Sequence, residues 1–205
     1  WVNAASGKKF EVKNPATEAI IAMVTHGDER DVKRAAEAAR KAFDSGAWPA
    51  LTHQARGRLL FKLADLVRKN RDRLAKLESL NMGKPLAESL WDMDDVATCF
   101  EFYGGLATKI YGEIAPVPDN AVSLIMKEPI GVAVGIIPWN YPLIMAAWKI
   151  APALITGNTV VLKPSPWASV SVMKLARLIQ TCGLPEGVLN IVSSSSHEVS
   201  AELVK

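Results

Sequence analysis

The period of apolar positions changes twice along this chain. Phe10-Glu-Val-Lys-Asn-Pro-Ala-Thr alternates and closes in an Asn14-Pro15 turn, and Ile20-Ile-Ala-Met-Val-Thr follows as an apolar run, so a strand pair is expected. From Asp28, a good N-cap, the spacing becomes helical: Val32, Ala35, Ala36, Ala39 and Phe43 recur at three and four, and Gly46 stops the run. Thr52 opens a second helix with Leu59, Leu60, Leu63, Leu66 and Val67 on one face. A short helix carries Leu74, Leu77 and Leu80 and ends near Gly83-Lys-Pro85. A longer helix is expected from Leu86 to Tyr111 through Leu90, Val96, Phe100, Tyr103 and Ala107.

After Gly112 the grammar is different. Glu113-Ile-Ala-Pro-Val-Pro and Val122-Ser-Leu-Ile-Met-Lys predict a hairpin through Asp119-Asn120. A strict alternation follows: strand Val132–Ile137, helix Pro142–Thr156, strand Thr159–Leu162, helix Ala168–Thr181, strand Val188–Val192. Gly157-Asn158 and Gly183-Leu-Pro are the helix terminators. Apolar strands separated by helices imply an α/β fold with a parallel sheet covered on both faces. Residues 1–112 read as a mostly helical layer with a small strand pair, 113–130 as a hairpin, and 131–205 as a Rossmann-like βαβαβ segment. Three strands are few for such a domain. A continuation beyond Lys205, or a partner over the sheet, is therefore expected, and Trp1 in place of Met points the same way at the start.

Composition narrows the class. Nearly half of the 205 residues are apolar, enough for a sizeable core, and the formal charge is only +3. No block of like charges and no basic run with interleaved aromatics is present, which argues against nucleic-acid binding. No apolar run has membrane-spanning length and no signal peptide is visible. Cys99 and Cys182 lack metal-ligand or CxxC spacing, so neither a disulfide framework nor a metal site is expected; two reduced thiols fit a cytoplasmic protein.

In an open parallel sheet, ligands sit beyond the carboxyl ends of the strands. One strand there delivers Ile137, Pro138, Trp139, Asn140, Tyr141 and Pro142, and the next delivers Lys163, Pro164 and Ser165. Lys163 is placed to meet a phosphate or ribose hydroxyl, and Asn140 offers an NH2 donor to a developing oxyanion. Against this, a lone Lys after a strand is usually solvated, and a lone Asn in a turn usually bonds its own backbone. A GxGxxG fingerprint is absent.

Pro138-Trp-Asn-Tyr-Pro, Trp148-Lys-Ile-Ala-Pro-Ala-Leu, Gly157-Asn-Thr-Val-Val-Leu-Lys-Pro-Ser165 and Gly183-Leu-Pro-Glu-Gly-Val-Leu-Asn-Ile-Val192 together resemble the NAD(P)-dependent aldehyde dehydrogenase superfamily. Asn14-Pro-Ala-Thr and Asn81-Met-Gly-Lys-Pro85 fit its upstream landmarks, so the likeness runs in order along the whole chain and matches roughly the first two-fifths of a full-length member. The resemblance implies a cysteine thiolate that attacks the aldehyde, hydride transfer to NAD(P)+, and a glutamate-activated water that hydrolyses the thioester. It also implies that Asn140 helps hold the oxyanion, that Ile137, Pro138 and Trp139 line the cofactor cleft, and that Lys163, Pro164, Ser165, Pro166 and Ser196 lie along the cofactor.

Three departures follow from that comparison. The family's catalytic cysteine and glutamate fall beyond the equivalent of Lys205, so this chain alone is expected to lack dehydrogenase activity. Pro166 stands where an acidic residue often grips the adenosine ribose, which leaves NAD only slightly favoured over NADP. Ser193–Ser196 and Ser200 replace a glycine-rich turn, where any positive φ would strain a serine and the hydroxyls would face either a phosphate or water.

Tyr141 and Trp148, seven apart, share a helix face as core aromatics or as a cation-binding wall, and Asp92 and Asp95, three apart, can face one opening. This combination resembles the betaine-aldehyde and ω-aminoaldehyde branch, which implies a small aldehyde substrate bearing an amino or trimethylammonium group. By the same analogy a homo-oligomer is expected, and the resemblance implies that residues 1–112 are the helical layer of a cofactor-binding domain and residues 113–130 the hairpin of an oligomerisation domain. The competing readings are a non-catalytic truncated cofactor-binding or scaffold protein, an acyl-phosphate reductase on the same fold, and a helical interaction domain. The β-α alternation after Gly131 argues against the last.

Overall fold

A computed structural model describes residues 1–205. Strands β1 (Lys9–Lys13) and β2 (Ile20–Thr25) pair antiparallel, joined by a turn in which Asn14 Oδ1 accepts the amide of Ala16 at 2.9 Å. Helix α1 (Glu29–Ser45) starts in a capping box: the Asp28 side chain accepts from the Arg30 amide, and the Asp31 side chain reaches back to the Asp28 amide. Helices α2 (His53–Lys69, capped by Thr52), α3 (Arg71–Met82) and α4 (Leu86–Gly105) form a layer. α2 and α4 approach closely where Gly57 faces Gly104, because a side chain on Gly57 would stand 2.8 Å from the Gly104 carbonyl oxygen.

Two expectations for this layer need correction. The long helix stops at Gly105 rather than Tyr111, because consecutive glycines, Gly104 and Gly105, end its run of good helix formers. On α3 the inward face is Leu74, Ala75, Glu78 and Asn81, while Leu80 is exposed. Two polar residues thus take interior positions that leucine spacing had claimed.

Strands β3 (Glu113–Ala115) and β4 (Ser123–Ile125) make the expected hairpin, shortened by Pro116 and Pro118. Then come β5 (Val132–Ile136), α5 (Pro142–Ile155), β6 (Thr159–Lys163), a 3-10 turn (Pro166–Ala168), α6 (Val170–Thr181), β7 (Leu189–Ile191) and α7 (His197–Glu202). β5, β6 and β7 form one parallel sheet in that order, with β6 central and buried along its whole length. Side-chain alternation divides the core. Val160 and Leu162 join the main cluster with α2 to α6, while Val161 packs with Val32, Ala39, Val192 and Val199 from the α1 and α7 side. Gly157 and Gly183 end α5 and α6 with φ of 91° and 95°, values that favour glycine. No helix is long and apolar enough to cross a membrane.

Candidate active-site edge

The carboxyl ends of the three parallel strands lie side by side. The Ile137 amide donates to the Lys163 carbonyl at 3.1 Å, and the Val192 amide donates to the Leu162 carbonyl at 3.0 Å. The structure therefore brings Ile137–Asn140, Lys163–Pro166 and Val192–Ser196 to one edge, as the strand order requires.

Ile137 is buried, whereas Pro138, Trp139 and Asn140 are exposed. The Asn140 carboxamide makes no hydrogen bond within the chain and the residue is exposed, so it does not close its own turn. Lys163 is the last residue of β6 and is buried. Its Nζ donates to the Ser194 carbonyl at 3.4 Å, and burial pushes its pKa down. An ammonium has three donors, and here a single long contact occupies one of them. Pro164 is buried; Ser165 Oγ accepts the Trp167 amide at 3.3 Å and opens the 3-10 turn that Pro166 begins. Trp139 and Pro166 flank a cleft of about 760 Å³ that also reaches Lys13, Asn81, Met82 and Trp167.

The serine tract is not a strained turn, and its first half is buried while Ser195 is exposed. Glu18 is the only non-glycine residue with positive φ, so no serine there is strained. Ser193 and Ser194 are buried and stitched to the end of β2: Ser193 Oγ donates to the Thr25 carbonyl, and Ser194 Oγ donates to the Gly27 carbonyl, both at 2.8 Å. Their hydroxyls are spent on backbone. Ser196 Oγ accepts the Glu198 amide at 3.0 Å as the cap of α7.

Of the four expected substrate residues, three lie on the surface. Tyr141 and Trp148 are 43% and 55% exposed, which excludes them from the core. Asp95 is exposed as well. Asp92 is not: it points inward, buried, and forms an ion pair with Lys84. The expectation that Asp92 and Asp95 face one opening is therefore corrected. They are three apart, but the α4 surface between them straddles the boundary of the core. Lys84 Nζ also stands 4.0 Å from the centroid of the Tyr141 ring, so an internal ammonium already covers one face of that aromatic.

The sequence gives no sign of the roles that the Lys84, Glu78 and Asn81 side chains take. Lys84 read as part of a helix terminator, Gly83-Lys-Pro85, and with Asn81 as part of the landmark Asn81-Met-Gly-Lys-Pro85, with no role given to either side chain. Glu78 and Asn81 were hidden by the leucines around them; their step of three, continuing from Leu74 and Ala75, was the available signal of burial. Asn81 Oδ1 accepts the Val170 amide at 2.8 Å, and its Nδ2 donates to the Trp167 carbonyl at 3.2 Å. Burial raises the pKa of both Cys99, to about 11, and Cys182, as expected of packing thiols rather than nucleophiles.

The sequence pattern of the aldehyde dehydrogenase family matches residues 1–205. The chain belongs to that family. It is 45% identical over 205 residues to the betaine aldehyde dehydrogenase of Bacillus subtilis (strain 168), covering 99% of this chain and 42% of that protein. It is 46% identical over 194 residues to human retinal dehydrogenase 2, covering 94% of this chain and 38% of that protein. Among solved structures, betaine aldehyde dehydrogenase from Staphylococcus aureus in complex with NAD+ superposes with a TM-score of 0.95 at 41% identity, over 99% of this chain and 41% of that one. The NAD+ complex of an aldehyde dehydrogenase from Bacillus cereus gives 0.97 at 42% identity, over 99% and 42%. The chain thus spans about two-fifths of the length of the relatives it matches.

Proposed function

We propose that this chain forms the dinucleotide-binding, oxyanion-holding portion of an aldehyde dehydrogenase that oxidises an amino- or trimethylammonium-aldehyde to the acid. The observation that carries this reading is the shared strand edge, where the unengaged Asn140 amide stands beside the tip that carries the buried Lys163. Similarity to a betaine aldehyde dehydrogenase supports the substrate class.

The residues fit a dinucleotide. Lys163 holds buried donors in reserve for a hydroxyl or phosphate oxygen, and Ser165 keeps its O–H proton free to donate. Ile137, Pro138, Pro164 and Ser196 complete that edge. Bound there, NAD(P)+ supplies the hydride acceptor; with Pro166 in place of an acid, NAD is only slightly favoured. Asn140 acts on the aldehyde itself. As a cysteine thiolate adds to the carbonyl carbon and a thiohemiacetal forms, negative charge gathers on the oxygen, and the Asn140 N–H donates to it. The thiolate is neither Cys99 nor Cys182, whose burial disfavours ionisation. In this reading the enzyme is a cytoplasmic homo-oligomer, with the hairpin of residues 113–130 in the subunit contact; Ile114, Val122 and Leu124 there are exposed apolar residues.

The substrate class is tested in the complete gene product. Tyr141→Ala or Trp148→Ala raises KM for an aminoaldehyde more than for a neutral aliphatic aldehyde of the same length. An equal rise for both substrates rules out a cation-binding wall. A second reading, a non-catalytic cofactor-binding protein, is favoured if purified full-length protein binds NAD+ yet oxidises no aldehyde.

A further inference from the structure

Helix α5 begins where the Asn140 turn ends, and it has no cap of its own. Its N-cap residue, Tyr141, makes no side-chain capping bond, and Pro142 has no N–H. The first amide that needs a partner is that of Leu143. Its partner comes from another helix: Glu78 Oε1 on α3 accepts it at 3.4 Å. Glu78 is fully buried, and its second oxygen, Oε2, has no partner. The Ser171 hydroxyl of α6 is also buried and unpartnered, approaching that carboxyl without completing a bond. α6 is held in the same fashion, since Ser169 makes no capping bond and Asn81 of α3 accepts the amides of Val170 and Ser171. One face of α3 therefore secures the starts of both helices that follow the strand tips.

We infer that Glu78 is a positioning residue for the turn that carries Asn140: its buried carboxyl holds the first free amide of α5 and fixes where Pro138–Tyr141 stands, more firmly when ionised than when neutral. The long 3.4 Å contact is that of a weak acceptor. An anion at a helix N-terminus makes a shorter, charge-assisted bond and gains from the helix dipole. The charge is finely balanced. Burial dominates and lifts the Glu78 pKa to about 7, with Asp92 of α4 acting in the same direction; the Ser171 hydroxyl, the Leu143 amide and Lys84 act against it. Lys84, paired to Asp92, also covers the Tyr141 ring, so the charges around Glu78 touch the same turn. α5 and α6 bring no charge to the carboxyl, only the Leu143 N–H and the Ser171 hydroxyl. That the positioned Asn140 serves an oxyanion rests on the function proposed above; the clamp itself does not.

The test reads the clamp directly. In the full chain with nitrogen-15-labelled leucine and asparagine, the Leu143 amide and Asn140 side-chain signals are followed by NMR between about pH 5.5 and 8.5. Both are expected to titrate together with a midpoint near neutrality, and Glu78→Gln, which keeps the acceptor but cannot ionise, is expected to hold both flat. Ser171→Ala, which removes a group that favours the anion, is expected to move the midpoint upward without abolishing the titration. Flat Asn140 signals in the wild type, a titration that survives Glu78→Gln, or an unmoved midpoint in Ser171→Ala overturns the inference. These outcomes are independent of turnover. Undiminished aldehyde oxidation by Asn140→Ala would sink the oxyanion role and leave the clamp standing.

Discussion

Lys84 and Asp92 form an ion pair sealed inside the protein, with side chains 5% and 8% exposed, directly beneath the ring of Tyr141. Breaking such a pair from one side leaves an uncompensated buried charge, which typically costs about 3–5 kcal/mol. Lys84→Met is therefore expected to destabilise the fold by about that amount in urea denaturation, and Lys84→Met with Asp92→Leu to recover most of it, because two apolar residues need no desolvation. A single-variant loss below about 1 kcal/mol would place the pair in solvent.

Glu78 predicts a pH dependence of stability. Its folded-state pKa, about 7, lies above the 4.5 of the free carboxyl. The folded state thus binds the extra proton between those values, and stability is lost as pH rises through that window. The loss amounts to about 3 kcal/mol. Glu78→Gln removes it. Relative to wild type, the variant gains about 2.5 kcal/mol more at about pH 8 than at about pH 5 in urea unfolding. Equal effects at both values would mean that the carboxyl is solvated.

For Lys163, stability and binding should move in opposite directions. Its buried ammonium lacks a carboxylate partner, so Lys163→Met is expected to leave the melting temperature unchanged or raise it. If Lys163 meets the dinucleotide as proposed, the same change removes a charged donor worth about 1.5–3 kcal/mol, or roughly a ten- to hundredfold rise in the Kd for NAD+ by calorimetry. Unaltered affinity would separate Lys163 from the cofactor.

Gly57 and Gly105 should respond in opposite ways to alanine. A Cβ on Gly57 would meet the Gly104 carbonyl oxygen and the Ala107 Cβ at 2.8 Å each, so α2 and α4 must part, at a cost of about 1–3 kcal/mol. A Cβ on Gly105 meets nothing within 4 Å and gains up to about 1 kcal/mol of helix propensity. Thermal melts of the two variants on either side of wild type would check the α2–α4 contact.

The elements that local chemistry specifies were readable from the chain. Asp28 and Thr52 cap their helices, Gly157 and Gly183 end theirs at positive φ, and the β5-α5-β6-α6-β7 alternation gives the strand edge that gathers Asn140, Lys163 and Ser196. What was not readable depended on distant partners. Asp92 looked like Asp95 until Lys84 came inside to meet it, and the serines looked free until the end of β2 claimed their hydroxyls. Glu78 carried no local sign of its task, because the amide it holds belongs to a helix 65 residues further along.

That distance has a consequence for folding. The Asn140 turn cannot lock when β5 and α5 form, since its clamp arrives only when the chain closes a long loop and α3 docks. On the inference that Glu78 clamps this turn, order at the strand edge depends on a non-local contact, and the turn registers tertiary assembly through the docking of the helical layer.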